Sequence, residues 1–348
     1  MKNPFYNTKY SDTLMRCGIS YTNISRIEKA WTQPWRHFHN LEHLSSILDK
    51  IQKVSGLNQN ELDQLICAAF FHDVQYLPWD SENNEDASIA IFTGAVTNKD
   101  KSFIDGVCDL IEVTKSRKVP SKSDKLKYIF WTADNDVLIK SNIIDLISYE
   151  HKIFKEYQFV DYSIYKEKRI QFLKTCVDLN TNILNLIEYI NNRIVNIGVY
   201  AGSFNPLTIG HLNIIEKAEK IFDKVIIARG INPTKGKPDF LIPTDWRQIE
   251  EYTGLITNYI KQKESKNTNI TLIRGLRNGD DLDYEVNQLR HIEKLKSDIK
   301  TIFINCDKNV EEISSTAVRS MLCIDDYDAI KLANSYIYDG IKKHLVIF

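Results

Sequence analysis

The sequence has no apolar run approaching the roughly 20 residues that cross a bilayer, so no transmembrane helix is expected. Its opening residues, Met-Lys-Asn-Pro-Phe-Tyr, lack the apolar stretch and small-residue cleavage site of a signal peptide. A soluble, cytoplasmic protein with no membrane partner is therefore expected. No excess of either charge is present: 45 Lys+Arg stand against 46 Asp+Glu, a formal net charge of -1. That balance gives no pull toward nucleic acid, and none is expected as a partner. The six cysteines include no C-x-x-C pair, which excludes a zinc ribbon or a dithiol redox centre and leaves them as reduced, mostly structural residues. Internal repeats and low-complexity tracts are missing as well. What remains is ordinary globular composition, 43% hydrophobic and 26% charged, in 348 residues, a length that divides more comfortably into two domains than it fills one core.

From Ile24 to about Ile190 apolar residues recur at helical spacing, as in Leu41, Leu44, Ile47, Leu48 and Ile51, then Leu62, Leu65, Ile66, Ala69 and Phe70. The pattern changes at Ile194-Val-Asn-Ile-Gly-Val-Tyr200. Short β-branched runs follow at Val225–Ala228, Ile270–Ile273 and Thr301–Ile304, with amphipathic helical stretches between them. This predicts an all-α domain over 1–192, then an α/β domain with a Rossmann-like parallel sheet over 193–348. No Pro- or Gly-rich linker marks the joint, so the last helix should run almost directly into the first strand.

In the second domain, Gly202-Ser-Phe-Asn-Pro-Leu-Thr-Ile-Gly-His211 lies between a predicted strand and a predicted helix. Such a turn exposes unpaired N–H groups beside the positive end of a helix dipole, where phosphate binds. The plainer alternative is a strand-to-helix turn whose His caps the helix. Lys235 follows the second strand, Arg274-Gly-Leu-Arg277 the third, and Ile313-Ser-Ser-Thr316 the fourth. Ligands collect at the carboxyl ends of parallel strands, so these groups can converge into a triphosphate cradle.

These segments resemble the HIGH-type nucleotidyltransferases, and within them the bacterial phosphopantetheine adenylyltransferase family. The resemblance rests on Gly202–Pro206, Thr208-Ile-Gly-His211, Lys235, Arg274–Arg277, Asp281-Leu-Asp-Tyr-Glu285 and Ile313–Thr316. It implies transfer of AMP from ATP, with Mg²⁺, to a small phosphorylated acceptor, 4′-phosphopantetheine first. It also implies catalytic roles for His211, Lys235 and Arg274, and nucleotide contacts at Gly202, Ser203, Phe204, Thr208, Arg277, Glu285, Ser314, Ser315 and Thr316. Ser203, His211 and Ser315 would hold ATP phosphates, and Lys235 and Arg274 would clamp the acceptor and transferring phosphates. Assembly into a homo-oligomer is implied too. Two departures bear on the acceptor. Asn205 replaces the usual Asp, and between Trp246 and Ile273 the chain is shorter than the family, with no recognisable strand-loop to line a pantetheine arm. Nicotinamide mononucleotide or a polyol or sugar phosphate is the alternative acceptor.

In the first domain the informative residues are His37, His39 and His43, then His72-Asp73, then Asp134. Imidazoles with carboxylates make a mixed N/O shell suited to a divalent transition metal such as Mn, Fe, Co or Ni. Arg36–His43, Phe71-His-Asp73, Asn84-Glu-Asp-Ala-Ser88 and Asp134 resemble the HD superfamily of metal-dependent phosphohydrolases, with Phe38 replacing the usual Tyr. The resemblance implies an HD-type helical bundle that hydrolyses a phosphate ester. His72, Asp73, Asp134 and either His39 or His43 would be its ligands, with Arg36 as a phosphate contact and Glu85 as a proton-handling group. The alternative is a non-catalytic metal- or nucleotide-binding regulatory module.

Overall fold

The computed structural model describes residues 3–116, 118–232 and 238–348. Two compact units emerge. The first comprises the residues up to Tyr157 with Tyr162–Asn191 and His344–Phe348; the second comprises Gln158–Asp161 and Asn192–Lys343. A single cut at 192 therefore misplaces two short segments, one passing to each unit.

The first unit is helical: α1 (Thr8–Arg16), α2 (Tyr21–Trp31), α3 (Leu41–Gln52), α4 (Gln59–Phe71), α5 (Asn84–Ala95), α6 (Lys101–Glu112), α7 (Lys125–Asp134), α8 (Asp136–Lys140), α9 (Ile143–Glu156), α10 (Tyr162–Lys174) and α11 (Asn182–Asn192). Asparagines start several of them. The Asn40 side chain accepts from Glu42 N at the start of α3, and Asn58 forms a capping box with Glu61 on α4. Helix α4 is buried on nearly every side from Asp63 to Phe71 and forms the centre of the core, against Leu44, Ile47, Leu48 and Ile51 of α3 and Phe103, Val107, Leu110 and Ile111 of α6. Burying a Leu or Phe side chain contributes about 2 kcal/mol, so this packing sets where the polar ends of α3, α4 and α7 can lie.

The second unit is a parallel sheet in the order β3-β2-β1-β4-β5, with β1 (Val195–Gly202), β2 (Lys224–Ile231), β3 (Gln248–Thr253), β4 (Thr268–Leu276) and β5 (Thr301–Asn305). Helices α12 (Ile209–Ala218), α13 (Ile256–Lys263), α14 (Gly279–Leu295), α15 (Ser315–Leu322) and α16 (Tyr327–Tyr336) accompany it. β1 begins three residues after α11 ends. The residues of β1 are almost all buried, as a central parallel strand covered on both faces requires.

Strand β3 was not expected. Gln248-Ile-Glu-Glu-Tyr-Thr253 is polar because β3 is an edge strand, hydrogen-bonded only to β2, and Glu251 is exposed. No helix occurs among the described residues of the crossover that joins β2 to β3, although parallel crossovers usually carry one. The sheet order reverses direction at β1, between β2 on one side and β4 on the other, which opens a crevice at the carboxyl ends of β1 and β4.

The approach of α12 to the segment before α15 depends on Gly210. A Cβ there would sit 2.9 Å from the backbone oxygen of Ile313. We expect Gly210→Ala to destabilise the second unit by about 1–3 kcal/mol, since backbone must shift to admit the methyl group. Chemical denaturation followed by a probe in that unit measures it; an unchanged midpoint would show that the contact is not limiting.

Candidate functional site

The crevice at the end of β1 is built around the start of α12. Thr208 is buried and caps the helix: its hydroxyl accepts from His211 N, and its own N–H donates to His211 Nδ1 at 3.0 Å. The Thr208 hydroxyl also lies 2.9 Å from Nδ1. Because Nδ1 accepts from a backbone N–H, the ring proton of neutral His211 is on Nε2, where it is a donor. Burial, helped by the positive charge of Arg277, pushes the His211 pKa down to about 4. Near neutral pH His211 is thus an uncharged N–H donor. The plainer reading, a His that caps its helix, holds through Nδ1, which leaves Nε2 as the donor.

Around it the expected residues divide into those that face the crevice and those that hold it. Phe204 is buried, and its ring meets those of His211 and Tyr200 edge-on, each at 5.1 Å, so it supports the imidazole rather than offering a contact to ligand. Gly202 makes room for it: a Cβ there would lie 2.9 Å from the Phe204 ring. Ser203 is exposed. Arg274 is within β4, not after it, and its Nε is 3.2 Å from Glu285 Oε2. Arg277 is held bidentately by Asp281, with both side-chain contacts at 2.8 Å. Tyr200, on β1, joins these groups. Burial raises its pKa, as does Glu285, while Arg274 and Arg277 oppose the shift.

From the other side comes the start of α15. Ser314 caps that helix by accepting from Ala317 N at 3.0 Å. Ser315, expected to hold phosphate through its hydroxyl, instead donates it to Pro206 O at 2.8 Å. Thr316 accepts from Arg319, which also bonds Asn205 O. The hydroxyls at 315 and 316 therefore pin the loop after β1, and it is the backbone N–H groups at the starts of α12 and α15 that suit an anion. Lys235 lies outside the described residues.

In the helical unit, His43 at the start of α3, His72 after α4 and Asp134 at the end of α7 offer ligand atoms all within 4.8 Å of one another. His43 Nε2 is 3.0 Å from Asp134 Oδ1, and His72 Nε2 is 3.1 Å from Asp73 Oδ2 and 3.5 Å from Asp134 Oδ1. His72 Nδ1 lies 3.0 Å from Ala69 O, a carbonyl that can only accept, so Nδ1 carries a proton. In the neutral ring, Nε2 then presents a lone pair, and it is buried with no hydrogen-bond partner. One carboxylate and two imidazole nitrogens thus meet at one place, with Asp73 beside His72. These separations match those between neighbouring ligands of an ion bound at about 2.1 Å, so the donor set fits a divalent transition metal. Burial opposes a charged His72, but Asp73 and Asp134 outweigh it and push its pKa up to about 10, so near neutral pH Nε2 carries a proton that a metal ion would displace.

His39 does not join this group. It precedes the Asn40 cap, so it lies outside helix α3, and its Nδ1 is 2.7 Å from Glu156 Oε2. Buried Glu156 also accepts from the backbone N–H groups of His37, Phe38 and His39, at 2.7–2.9 Å, and from the Tyr76 hydroxyl. Of the two histidines left open, the structure brings His43 to the cluster. Arg36 is corrected too. It is buried, and its guanidinium donates to the carbonyls of His39, Asp73 and Val74 and to Gln33, so it is not presented to a phosphate. Glu85 is half-buried, which raises its pKa, with Asp73 adding to the shift. Sequence reasoning missed Glu156, since nothing marks an acidic residue at the end of an amphipathic helix as the hub of a buried loop.

Comparison with known proteins places the crevice in context. The cytidylyltransferase-like family matches residues 199–321. The phosphopantetheine adenylyltransferase of Clostridium novyi is 32% identical over 161 residues, covering 43% of this chain and 97% of that protein. That of Syntrophomonas wolfei is 36% identical over 164 residues, 44% and 98% respectively, and that of Clostridium botulinum (strain Hall) is 34% identical over 165 residues, 42% and 93%.

The depressed pKa of His211 has a consequence for stability. The unfolded chain takes up this proton near pH 6.5 and the folded chain only near pH 4. Between those values the unfolded state binds more protons, so stability falls as pH is lowered through the window. With His211 only partly covered, we expect a loss of about 2 kcal/mol from this group. Unfolding free energies at pH 7.5 and 4.5 should differ more for the wild-type chain than for His211→Asn by that amount; parallel pH profiles would contradict it.

Proposed function

The chain belongs, through its C-terminal unit, to the phosphopantetheine adenylyltransferase family, and from that premise we propose that it transfers AMP from ATP to the phosphate of 4′-phosphopantetheine, giving dephospho-coenzyme A and pyrophosphate. The observation that carries the reading is the neutral Nε2–H donor of His211, set between two helix N-termini and beside Arg277.

An oxygen of the acceptor phosphate attacks the α-phosphorus of ATP, and the bond from that phosphorus to the bridging oxygen of the β-phosphate breaks. The nucleophile is already an anion, so no general base is needed. Charge builds on the oxygens of the pentavalent phosphorus, and a positioned N–H donor that need not give up its proton stabilises it there. His211 fills that role. Backbone N–H groups at the starts of α12 and α15 receive the β- and γ-phosphates, and Arg274 clamps the acceptor and transferring phosphates. Mg²⁺ enters with the triphosphate and belongs to the substrate.

Nicotinamide mononucleotide or a polyol or sugar phosphate is the competing acceptor. A pyrophosphate-release assay across these phosphates decides between them. Activity with 4′-phosphopantetheine and none with the others is expected, and a flat response across the panel removes the transferase reading. His211→Ala should lower kcat by about 10²- to 10³-fold, the usual cost of losing one such donor; an unchanged kcat would show that His211 does not contact the reacting phosphate.

The N-terminal unit is an HD-type phosphohydrolase in this reading, carried by the meeting of His43, His72 and Asp134, whose ligand atoms lie within 4.8 Å of one another. His43, His72, Asp73 and Asp134 would hold a divalent metal, which supplies an acidified water and polarises a phosphoryl oxygen. The Ala69 carbonyl fixes the tautomer of His72, and the Glu156–His39 pair forms a second buried ion-pairing site beside the first. Metal analysis should find about one divalent ion per chain, as a single mixed shell holds. Asp134→Ala should lose that ion and any phosphatase activity while adenylyl transfer persists. Full metal content in the variant overturns the assignment, and metal without hydrolysis of any nucleotide or of the transferase's product favours the regulatory alternative.

A further inference from the structure

Arg229 has no place in the mechanism above, yet it is one of the most completely buried side chains of its unit, at 2% exposure. It stands near the end of β2, directly in register with Gly202 on β1. Its Nε donates to Ser203 O at 3.2 Å, and its Nη2 donates to Phe240 O at 2.9 Å. Nη1 lies 3.5 Å from Glu251 on β3. A buried guanidinium is costly unless its donors are used, and here they are used to join two irregular segments: the loop that follows β1 and the Asp239–Phe240 stretch of the crossover to β3.

A second residue joins the same two segments. Asn205 Oδ1 accepts from Phe240 N at 3.1 Å, and its Nδ2 donates to Asp239 Oδ2 at 3.0 Å. The Phe240 N–H and C=O are thus both taken, one by Asn205 and the other by Arg229. Between the two anchors is Phe204, at φ +42, in the left-handed region that a bulky residue adopts only when its surroundings hold it there. The loop does not need this conformation for its own sake. It is the conformation in which Ser203 is exposed at the crevice while the Phe204 ring supports His211.

We propose that Arg229 and Asn205 are positioning residues for ATP: together they clasp the loop after β1 to the Asp239–Phe240 segment, and Asp239 is the reason that position 205 is asparagine rather than aspartate. An aspartate at 205 could still accept from Phe240 N. It would also replace an amide donor by a second carboxylate at hydrogen-bonding distance from Asp239, turning an attraction into a repulsion. The clasp rests on the adenylyltransferase reading only for what the loop binds.

The test is calorimetric titration of the full chain with ATP and Mg²⁺. Asn205→Asp should bind ATP about five- to tenfold more weakly at low salt, the scale of one like-charge contact near the surface, and the deficit should shrink at high salt. Adding Asp239→Asn to Asn205→Asp removes the repulsion and should restore affinity to within about twofold. Arg229→Met leaves both carbonyls without their donors and should weaken binding more than about tenfold, with Arg229→Lys intermediate because an ammonium cannot reach both with fork geometry. If Arg229→Met does not fold, the Asn205 and Asp239 variants decide. A purely structural role would not produce the charge-swap rescue. Wild-type affinity in Asn205→Asp, or no recovery in the double variant, overturns the clasp. Absence of ATP binding by the wild-type chain would instead bring down the adenylyltransferase reading, and the clasp with it.

Discussion

The C-terminal unit depends on one close approach, that of the first turn of α12 to the carbonyl of Ile313. Only a residue without a side chain fits at 210, and its absence of bulk brings two helix starts to the same loop. Backbone N–H groups are fixed in direction by their helices, so they cannot be retargeted by rotamer changes as a Lys can. Placing two such sets together would give the proposed triphosphate site a shape that exists before the anion arrives. The hydroxyls of Ser315 and Thr316, and the guanidinium of Arg319, are then free to serve the loop itself. This explains why a hydroxyl-rich motif need not mean hydroxyl contacts to ligand.

The helical unit answers a different electrostatic problem. Its polar cluster is a run of imidazole–carboxylate contacts, His43 Nε2 with Asp134 and His72 Nε2 with Asp73 and Asp134. At the end of α9, Glu156 has different surroundings, with three backbone N–H groups, a phenol and an imidazole all directed at one buried carboxylate. One carboxylate is satisfied by donors of the protein, while the other group gathers ligand atoms that could hold a metal ion. Two histidines four residues apart fall on either side of that division, which spacing alone could not reveal.

The alternation of a long helical pattern with short β-branched runs was enough to read the two architectures and four of the strands. β3 escaped because the signal for a buried strand is a run of apolar residues, and an edge strand in which Glu250 and Glu251 separate Ile249 from Tyr252 has no such run. Motif residues His43, His72, Asp134 and His211 were legible because their chemistry is uncommon in a core. Arg36 was misread for the same reason: a cation inside a motif suggests a phosphate, whereas its actual partners are backbone carbonyls, which carry no mark in the sequence. Arg229 and Glu156 were invisible on the same account. Each acts on main-chain groups whose position only the fold determines.

For the proposed adenylyl transfer, a neutral His211 is better suited to this crevice than a charged one. Cations are already present in Arg274 and Arg277, each beside a carboxylate, Glu285 and Asp281, that tempers its charge. An imidazolium at 211 would bind the triphosphate tightly in the ground state, and attraction that is equal before and during the reaction does not lower the barrier. An N–H whose partner oxygen gains charge only as the pentavalent phosphorus forms does lower it. The Thr208 N–H, by occupying Nδ1, both caps α12 and holds the imidazole in the form that donates from Nε2. The same short hydrogen-bonding unit thus fixes a helix start and a tautomer, while burial and Arg277 set the charge state and keep formation of the imidazolium well below neutrality.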